Sequence, residues 1–121
     1  MDEKLFQART KELALRIIKL VEALPKNSTA SVIGTQLLRS ATSVGANYRA
    51  ACRARSTADM IAKLKIVEEE ADETLYWLEL LVEAEIVLET RLVPLMTETN
   101  EIIAMTVSSI NTLRKRRNHK S

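Results

Sequence analysis

A chain of 121 residues with a formal net charge of +2 is long enough for one hydrophobic core, and its charge alone favours no class of partner. Only two glycines and two prolines accompany 46% hydrophobic residues, so the turn residues of a β fold are missing and the composition predicts an all-α protein. No apolar run approaches the roughly 20 residues of a membrane span, and the N-terminus lacks the features of a signal peptide. We therefore expect a soluble, cytoplasmic protein with no membrane partner. The single cysteine, Cys52, fits a reducing compartment.

The first two predicted helices are joined by a short connection. Apolar residues recur every three or four positions from about Glu3 to Leu24, and Pro25 ends this first helix. The second helix is predicted from about Ser31 to Arg55. Its inner stripe consists of Ile33, Leu37, Ala41, Val44 and Tyr48.

The third and fourth predicted helices fill the rest of the chain. The third begins after a cap at Ser56 or Thr57 and ends near residues 86–88. The fourth begins near Arg91, so that Pro94 falls in a first turn, where a backbone amide needs no helical partner. Its inner residues are predicted to be Ile102, Met105, Ser109 and Leu113.

Four helices with short connections pack most simply as an antiparallel up-down-up-down four-helix bundle. We assign residues 1–113 to this bundle and residues 114–121 to a basic C-terminal tail. No internal repeat or linker divides the chain further.

Two helices carry more apolar or small surface than one bundle core needs. The third is apolar nearly all round near its end, and the second has a face of small residues on which Gly45 costs about 1 kcal/mol of helix propensity. Close packing against another copy would explain both features. The predicted oligomer interface consists of Gly45, Ala46, Ala50, Trp77 and Leu81. The alternative is that scattered exposed apolar residues carry no meaning.

Charge is sorted along the predicted bundle. One end collects most of the cations, Arg9 among them, whereas Glu98 and Glu101 fall at the opposite, acidic end. A basic field of this kind attracts the phosphate backbone of RNA or DNA even when the net charge is small. The predicted contacts are Arg49, Arg53, Arg55, Arg114, Lys115, Arg116 and Arg117. Phe6 and Tyr48, the aromatic residues at this end, are predicted to be core, so base stacking is not expected.

A second explanation of the basic end involves no ligand. Cations near a helix C-terminus complement the helix dipole, and a short basic tail also keeps a protein soluble. The sequence leaves both explanations open.

No catalytic arrangement is present in the sequence. The acidic run at residues 68–73 suggests a metal site, but a di-iron bundle needs inward carboxylates on all four helices and two Glu-x-x-His pairs, and His119 is the only histidine. A solvated face, or ion pairs to Arg39, Arg49 or Arg53 of another copy, explains the run better. We expect a non-enzyme with no metal and no cofactor.

A resemblance to a known family is carried by two segments, GTQLLRSATSVGANYRAACRARS at 34–56 and DMIAKLKIVEEEADETLYWLELL at 59–81. Together they resemble the bacterial four-helix-bundle proteins related to those encoded in intervening sequences of large-subunit ribosomal RNA genes. The resemblance covers about Leu5 to Leu88 and implies a left-handed antiparallel bundle that assembles as a ring-like homopentamer. Many relatives carry Asn-Ile-Ala-Glu-Gly where this chain has Asn-Tyr-Arg-Ala-Ala at 47–51.

Two functions from different classes follow from these observations. A pentamer with its basic ends on one face would bind RNA or DNA nonspecifically, with avidity from five weak sites. The alternative is a protein-interaction scaffold that presents its acidic end or the region of Trp77 to a partner protein, with no role for nucleic acid.

Overall fold

The computed structural model describes residues 2–120, which form four α-helices and no β-strand. The helices are α1 (Glu3–Glu22), α2 (Ser28–Cys52), α3 (Thr57–Glu83) and α4 (Glu89–Lys120). Each helix packs on the next in chain order, whereas α1 meets α4 much less extensively. The chain is therefore a four-helix bundle, which confirms the predicted all-α class. Met1 and Ser121, the ends of the predicted segments 1–113 and 114–121, lie outside the described residues.

Polar side chains determine where the first three helices begin. Asp2, Asn27 and Ser56 each accept a hydrogen bond from the backbone N–H three residues further on, at 3.1, 2.9 and 3.0 Å. The cap at Ser56 confirms one of the two predicted starts of α3. Asn27 was not recognised as a cap, so α2 begins at Ser28 instead of the predicted Ser31.

Helices α2 and α3 both end earlier than their apolar periodicity predicts. α2 ends at Cys52 instead of Arg55, and α3 ends at Glu83 instead of near residues 86–88. Glu85 adopts a left-handed conformation with φ of 58°, and the amides of Ile86 and Val87 both donate back to the carbonyl of Leu81, at 2.9 and 3.1 Å. This turn stops the helix and leaves apolar residues in the connection to α4.

The start of α4 also differs from the prediction. The helix begins at Glu89 instead of Arg91, so Pro94 lies in its second turn, where a proline removes one intrahelical hydrogen bond. The prediction that Pro94 occupies the first turn is therefore wrong. Beyond Leu113, which packs against the core, α4 continues without a break to Lys120.

The core contains one stripe of side chains from each helix, and the predicted α2 stripe is buried as expected. The predicted α4 stripe is confirmed only in part, because Ile102 is fully buried but Met105, Ser109 and Leu113 are only half-buried. Thr99 and Thr106 are fully buried instead, and each donates its hydroxyl hydrogen to the carbonyl one turn earlier, at 2.7 Å. A threonine whose hydroxyl is hydrogen-bonded within its own helix can be buried in a core. The spacing of apolar residues alone therefore does not predict that these two threonines are buried.

A buried polar contact links α2 to α3. The hydroxyls of Ser40 and Thr74, both fully buried, lie 3.0 Å apart. Each also hydrogen-bonds a carbonyl of its own helix, so neither oxygen lacks a partner. None of the helices in the described part of the chain is long and apolar enough to cross a membrane.

Candidate nucleic-acid interface

The last turns of α4 carry four consecutive exposed cations, Arg114, Lys115, Arg116 and Arg117. At 3.6 residues per turn, four successive positions cover every side of a helix, so the run presents positive charge all round. Within residues 2–120, none of these four side chains lies within 4.0 Å of a carboxylate oxygen. Their charge is therefore not neutralised by a carboxylate of the described residues.

A groove near the basic tail shows which helix ends meet there. It is lined by Glu3 of α1, Tyr48 of α2, Met60 of α3 and Arg116 of α4, together with their neighbours. We call it the end groove. The tail thus leaves the bundle beside the last turns of α2 and the first turns of α3.

The connection between α2 and α3 contributes two more of the predicted cations. Arg53 and Arg55 are exposed, and neither forms an ion pair with another described residue. Asp59 accepts a long hydrogen bond of 3.4 Å from the backbone N–H of Arg55, and its carboxylate pairs with Lys63 at 3.4 Å. The carboxylate of Asp59 is therefore already paired with Lys63, and it forms no ion pair with the side chain of Arg53 or Arg55.

Arg49 has a different setting from the other predicted cations. It is exposed on α2 and lines a second groove, between α1 and α2, together with Lys4 and Lys11. We call this the α1–α2 groove. The structure therefore divides the predicted contacts between the end of the bundle and one of its sides.

Arg9 is not part of a free basic surface. Its guanidinium donates to both carboxylate oxygens of Glu98, at 3.0 and 2.6 Å, and to Glu101 at 3.1 Å. The prediction that Glu98 and Glu101 lie at the opposite end of the bundle from Arg9 is therefore wrong. Because α4 has 32 residues and α1 only 20, the relative position of a residue along α4 does not give its level beside α1. The hydrogen bond to Glu98 raises the pKa of Arg9, with a smaller increase from Glu101.

The acidic run of α3 is paired within the chain. Arg39 of α2 donates to Glu70 at 3.2 Å and to Glu73 at 2.7 Å. The hydrogen bond from Arg39 lowers the pKa of Glu73, and a second one from the indole of Trp77, at 3.2 Å, lowers it further. These contacts account for part of the acidic run without a second copy of the chain. No group of three or more metal-ligating side chains in residues 2–120 could hold a metal ion.

The predicted interface residues on α3 have unequal exposure. Leu81 is fully buried in the core of its own chain, which accounts for its apolar character. Trp77 is half-buried, and its ring meets that of Tyr76 edge to face, with centroids 5.1 Å apart. Tyr76, which is 52% exposed, is thus more accessible than either of the predicted interface residues on α3.

The small predicted interface residues lie on α2. Gly45 faces α1, since a Cβ atom built on it would lie 3.4 Å from the hydroxyl oxygen of Thr10. At that distance an added Cβ would make an ordinary van der Waals contact, so packing against α1 does not by itself require glycine at this position. Ala46 is exposed beside it in the α1–α2 groove, and Ala50 is half-buried.

The two aromatic residues near the basic end are core, as predicted. Phe6 and Tyr48 are buried and meet edge to face, with ring centroids 4.5 Å apart. Burial is the main cause that raises the pKa of Tyr48. Neither ring is available to stack on a base.

The sequence model of a known protein family, described as 23S rRNA-intervening sequence protein, matches residues 4–108 of the chain. The chain belongs to this family. A solved structure from Bacteroides thetaiotaomicron VPI-5482, described as a protein with unknown function from the S23 ribosomal protein family, is similar to it with a TM-score of 0.85. The two are 38% identical over 92% of this chain and 99% of that chain. No curated protein matches the chain.

The family match confirms the resemblance seen in the sequence and separates the predicted cations into two groups. In this intervening-sequence family member, Arg49, Arg53 and Arg55 lie inside the matched residues, whereas the four tail cations follow residue 108. Lys4 and Lys11, which join Arg49 in the α1–α2 groove, are not among the predicted contacts. Their spacing of seven residues places them on one face of α1, but it does not show that this face lies beside Arg49.

Proposed function

We propose that this member of the 23S rRNA-intervening sequence protein family is a non-enzymatic protein that binds the phosphate backbone of RNA or DNA through the basic end of its bundle. The observation that carries the proposal is a group of exposed cations that form no ion pair with any described residue: Arg53, Arg55 and the run Arg114 to Arg117. Cations left unpaired at one end of a protein attract a polyanion strongly. The absence of exposed aromatic rings there favours backbone contacts over base recognition.

The proposal includes an antiparallel up-down-up-down order of the helices. It is supported by the end groove, whose lining includes the first turn of α1, the last turns of α2 and α4, and the first turn of α3. That order gathers the basic connection and the basic tail at the same end. We place the protein in the cytoplasm, where RNA and DNA are accessible in a bacterium.

We also propose that the protein acts as a ring-like homopentamer. The family resemblance implies this assembly, and exposed apolar side chains on all four helices or their connections support contact between copies. These side chains, which are 40 to 72% exposed, are Leu5, Leu15, Val32, Ile66, Tyr76, Leu88 and Val93. Five basic ends in one assembly would bind a phosphate backbone far more tightly than one.

A protein-interaction scaffold is the second candidate function. It is favoured by Tyr76, a large aromatic side chain that is 52% exposed beside half-buried Trp77. Exposed aromatic residues of this kind are common anchors in protein interfaces. In this alternative, the basic end binds no nucleic acid.

The test is light scattering of the purified protein across a salt series, with and without a generic structured RNA. A variant with Arg114, Arg116 and Arg117 changed to Ser is compared with a control in which Lys19, Lys26 and Arg91 are changed to Ser. Both variants lose three exposed cations, but only the first loses them from the basic tail.

We expect the wild type and the control to gain RNA mass at low salt and to lose it as salt rises. The tail variant should bind more weakly, and the slope of log affinity against log salt should fall by roughly 0.7 to 0.9 for each phosphate contact removed. Equal RNA uptake by both variants, or no uptake by the wild type, would reject the proposal. The mass of the free protein tests the pentamer in the same experiment.

A further inference from the structure

The α1–α2 groove differs from the other two grooves described on this bundle in the sign of its charge. Lys4, Lys11 and Arg49 are its charged lining residues, and no carboxylate lines it. The end groove contains both Glu3 and Arg116, and a groove at the α1–α2 connection contains both Glu22 and Lys26. The α1–α2 groove is thus the one of the three that presents positive charge only.

The three cations of this groove are also free of internal partners. Among residues 2–120, no carboxylate oxygen lies within 4.0 Å of Lys4, Lys11 or Arg49. All three side chains are exposed. Glu3, the acid next to Lys4 in sequence, lines the end groove instead. No described carboxylate is therefore paired directly with the cations of the groove.

Four of the uncharged residues that line the groove are glycine or alanine. Gly45 and Ala46 line it from α2, and Ala8 and Ala14 line it from α1. Small side chains let an extended polymer approach the helix surfaces closely. No aromatic side chain lines the groove, so it cannot stack on unpaired bases, which is the usual means of holding a single strand. A strand whose bases are already paired fits it better.

The spacing of the cations suits a strand that runs along α1. Lys4 and Lys11 are seven residues apart, which is two helical turns and about 10 Å of rise on the same face. Phosphates of one strand recur every few ångströms along a double helix, so the two lysines can reach phosphates a few nucleotides apart. Arg49 approaches the same strand from α2 and can bind a phosphate through two donors.

Gln7 supplies a contact of a different kind between the two lysines. Positions 4, 7 and 11 share one face of α1, and Gln7 lines the groove half-buried. No group in residues 2–120 hydrogen-bonds its side-chain amide. An amide both donates and accepts, as does the ribose 2′-hydroxyl, the group that distinguishes RNA from DNA.

We infer that the α1–α2 groove holds one strand of an RNA double helix, with phosphates on Lys4, Lys11 and Arg49 and a ribose 2′-hydroxyl on Gln7. The inference rests on the proposed function in that both require contact with a phosphate backbone. It adds a second surface on the side of the bundle and a preference for RNA over DNA.

The experiment measures dissociation constants by fluorescence anisotropy, at several salt concentrations, for an RNA duplex of about 20 base pairs and a DNA duplex of the same sequence. The groove variant carries Lys4→Gln, Lys11→Gln and Arg49→Gln. Its matched control carries Lys19→Gln, Lys26→Gln and Arg91→Gln, which removes the same charge from exposed positions outside the groove. A third variant, Gln7→Met, keeps the side-chain length and removes the hydrogen bonds. Circular dichroism checks that each variant keeps its helix content.

We expect the groove variant to bind the RNA duplex at least about tenfold more weakly than the control at low salt, with a shallower salt dependence. Gln7→Met should weaken RNA binding by roughly two- to tenfold, the value of one hydrogen bond, and leave DNA binding unchanged.

Equal affinities of the groove variant and its control would overturn the inference, as would a change in the mass of the free groove variant, which would identify the groove as a contact between copies. A Gln7→Met variant that weakens RNA and DNA binding equally, or neither, would refute the RNA preference. The tail variant separates this failure from that of the proposed function. If tail substitutions abolish binding and groove substitutions do not, only the groove is excluded, whereas a wild type that binds neither duplex excludes both.

Discussion

The ion pair between Arg9 and Glu98 spans the α1–α4 contact, the least extensive contact between helices of the bundle. Two parallel hydrogen bonds of 3.0 and 2.6 Å join the guanidinium to the carboxylate, and the two side chains are only 26% and 21% exposed. Arg9 also lies 3.2 Å from the sulfur of Met105. We predict that Arg9→Gln lowers the free energy of unfolding because it leaves a partly buried carboxylate without its main partner.

The magnitude follows from the geometry. A hydrogen bond to a charged group contributes about 1.5 to 3 kcal/mol when buried, whereas an exposed ion pair contributes about 0 to 1 kcal/mol. This pair lies between the two limits, and Glu101 adds little because its side chain is 57% exposed. We therefore expect Arg9→Gln to cost about 2 kcal/mol, with a coupling energy to Glu98 of about 1 to 2 kcal/mol.

The assay is urea denaturation of the wild type, Arg9→Gln, Glu98→Gln and the double variant at one fixed protein concentration, because self-association would couple stability to concentration. Arg16→Gln is the control, since half-buried Arg16 on the same helix forms no ion pair with a described residue. It should cost about 0.5 kcal/mol or less. A coupling energy near zero, or a control as costly as Arg9→Gln, would refute the reasoning.

Two further predictions concern α3. Leu81→Ala should cost about 2 to 5 kcal/mol of unfolding free energy because Leu81 is fully buried. Tyr76→Ala should cost about 0.5 kcal/mol or less because its side chain is exposed. A Leu81→Ala protein that keeps wild-type stability but has a smaller mass by light scattering would contradict this. Because Arg39 lowers the pKa of Glu73 below its ordinary value of 4.5, the unfolded chain binds more protons at this site, so the stabilisation is complete above pH 4.5 and is lost as the pH falls through the folded pKa. Arg39→Gln should therefore reduce the loss of stability between about pH 5 and pH 2, measured by urea denaturation, and an unchanged acid dependence would show that the pair contributes nothing.

The helix content and the number of helices were predictable because they depend on local properties of the chain. The stripe from Ile33 to Tyr48 repeats with the helical period, and Ser56 is a residue type that caps helices, so both were identified without coordinates. The helix boundaries were less predictable. Asn27 caps α2 and Glu85 forms the left-handed turn after α3, but neighbouring residues were equally plausible for both roles.

The candidate site was predictable only in part. A run of four cations at the end of a helix is visible in any reading of the sequence, and the structure leaves those side chains exposed. The grouping of Lys4 and Lys11 with Arg49 was not visible, because it depends on how α1 rotates about its own axis against α2. The same limitation affects Leu81, whose burial depends on the rotation of α3.

The sequence by itself determined that this protein is helical, that it has four helices, and that it belongs to the 23S rRNA-intervening sequence protein family, because periodicity, caps and motif residues are properties of neighbours along the chain. The tertiary structure decided which charges are neutralised. Arg9 is paired with Glu98 across 89 positions of sequence, and Arg39 is paired with Glu73 across 34, whereas Arg49 forms no ion pair with any residue from 2 to 120. Ion pairs form over a few ångströms, and only the packing of helices of unequal length sets which side chains come that close.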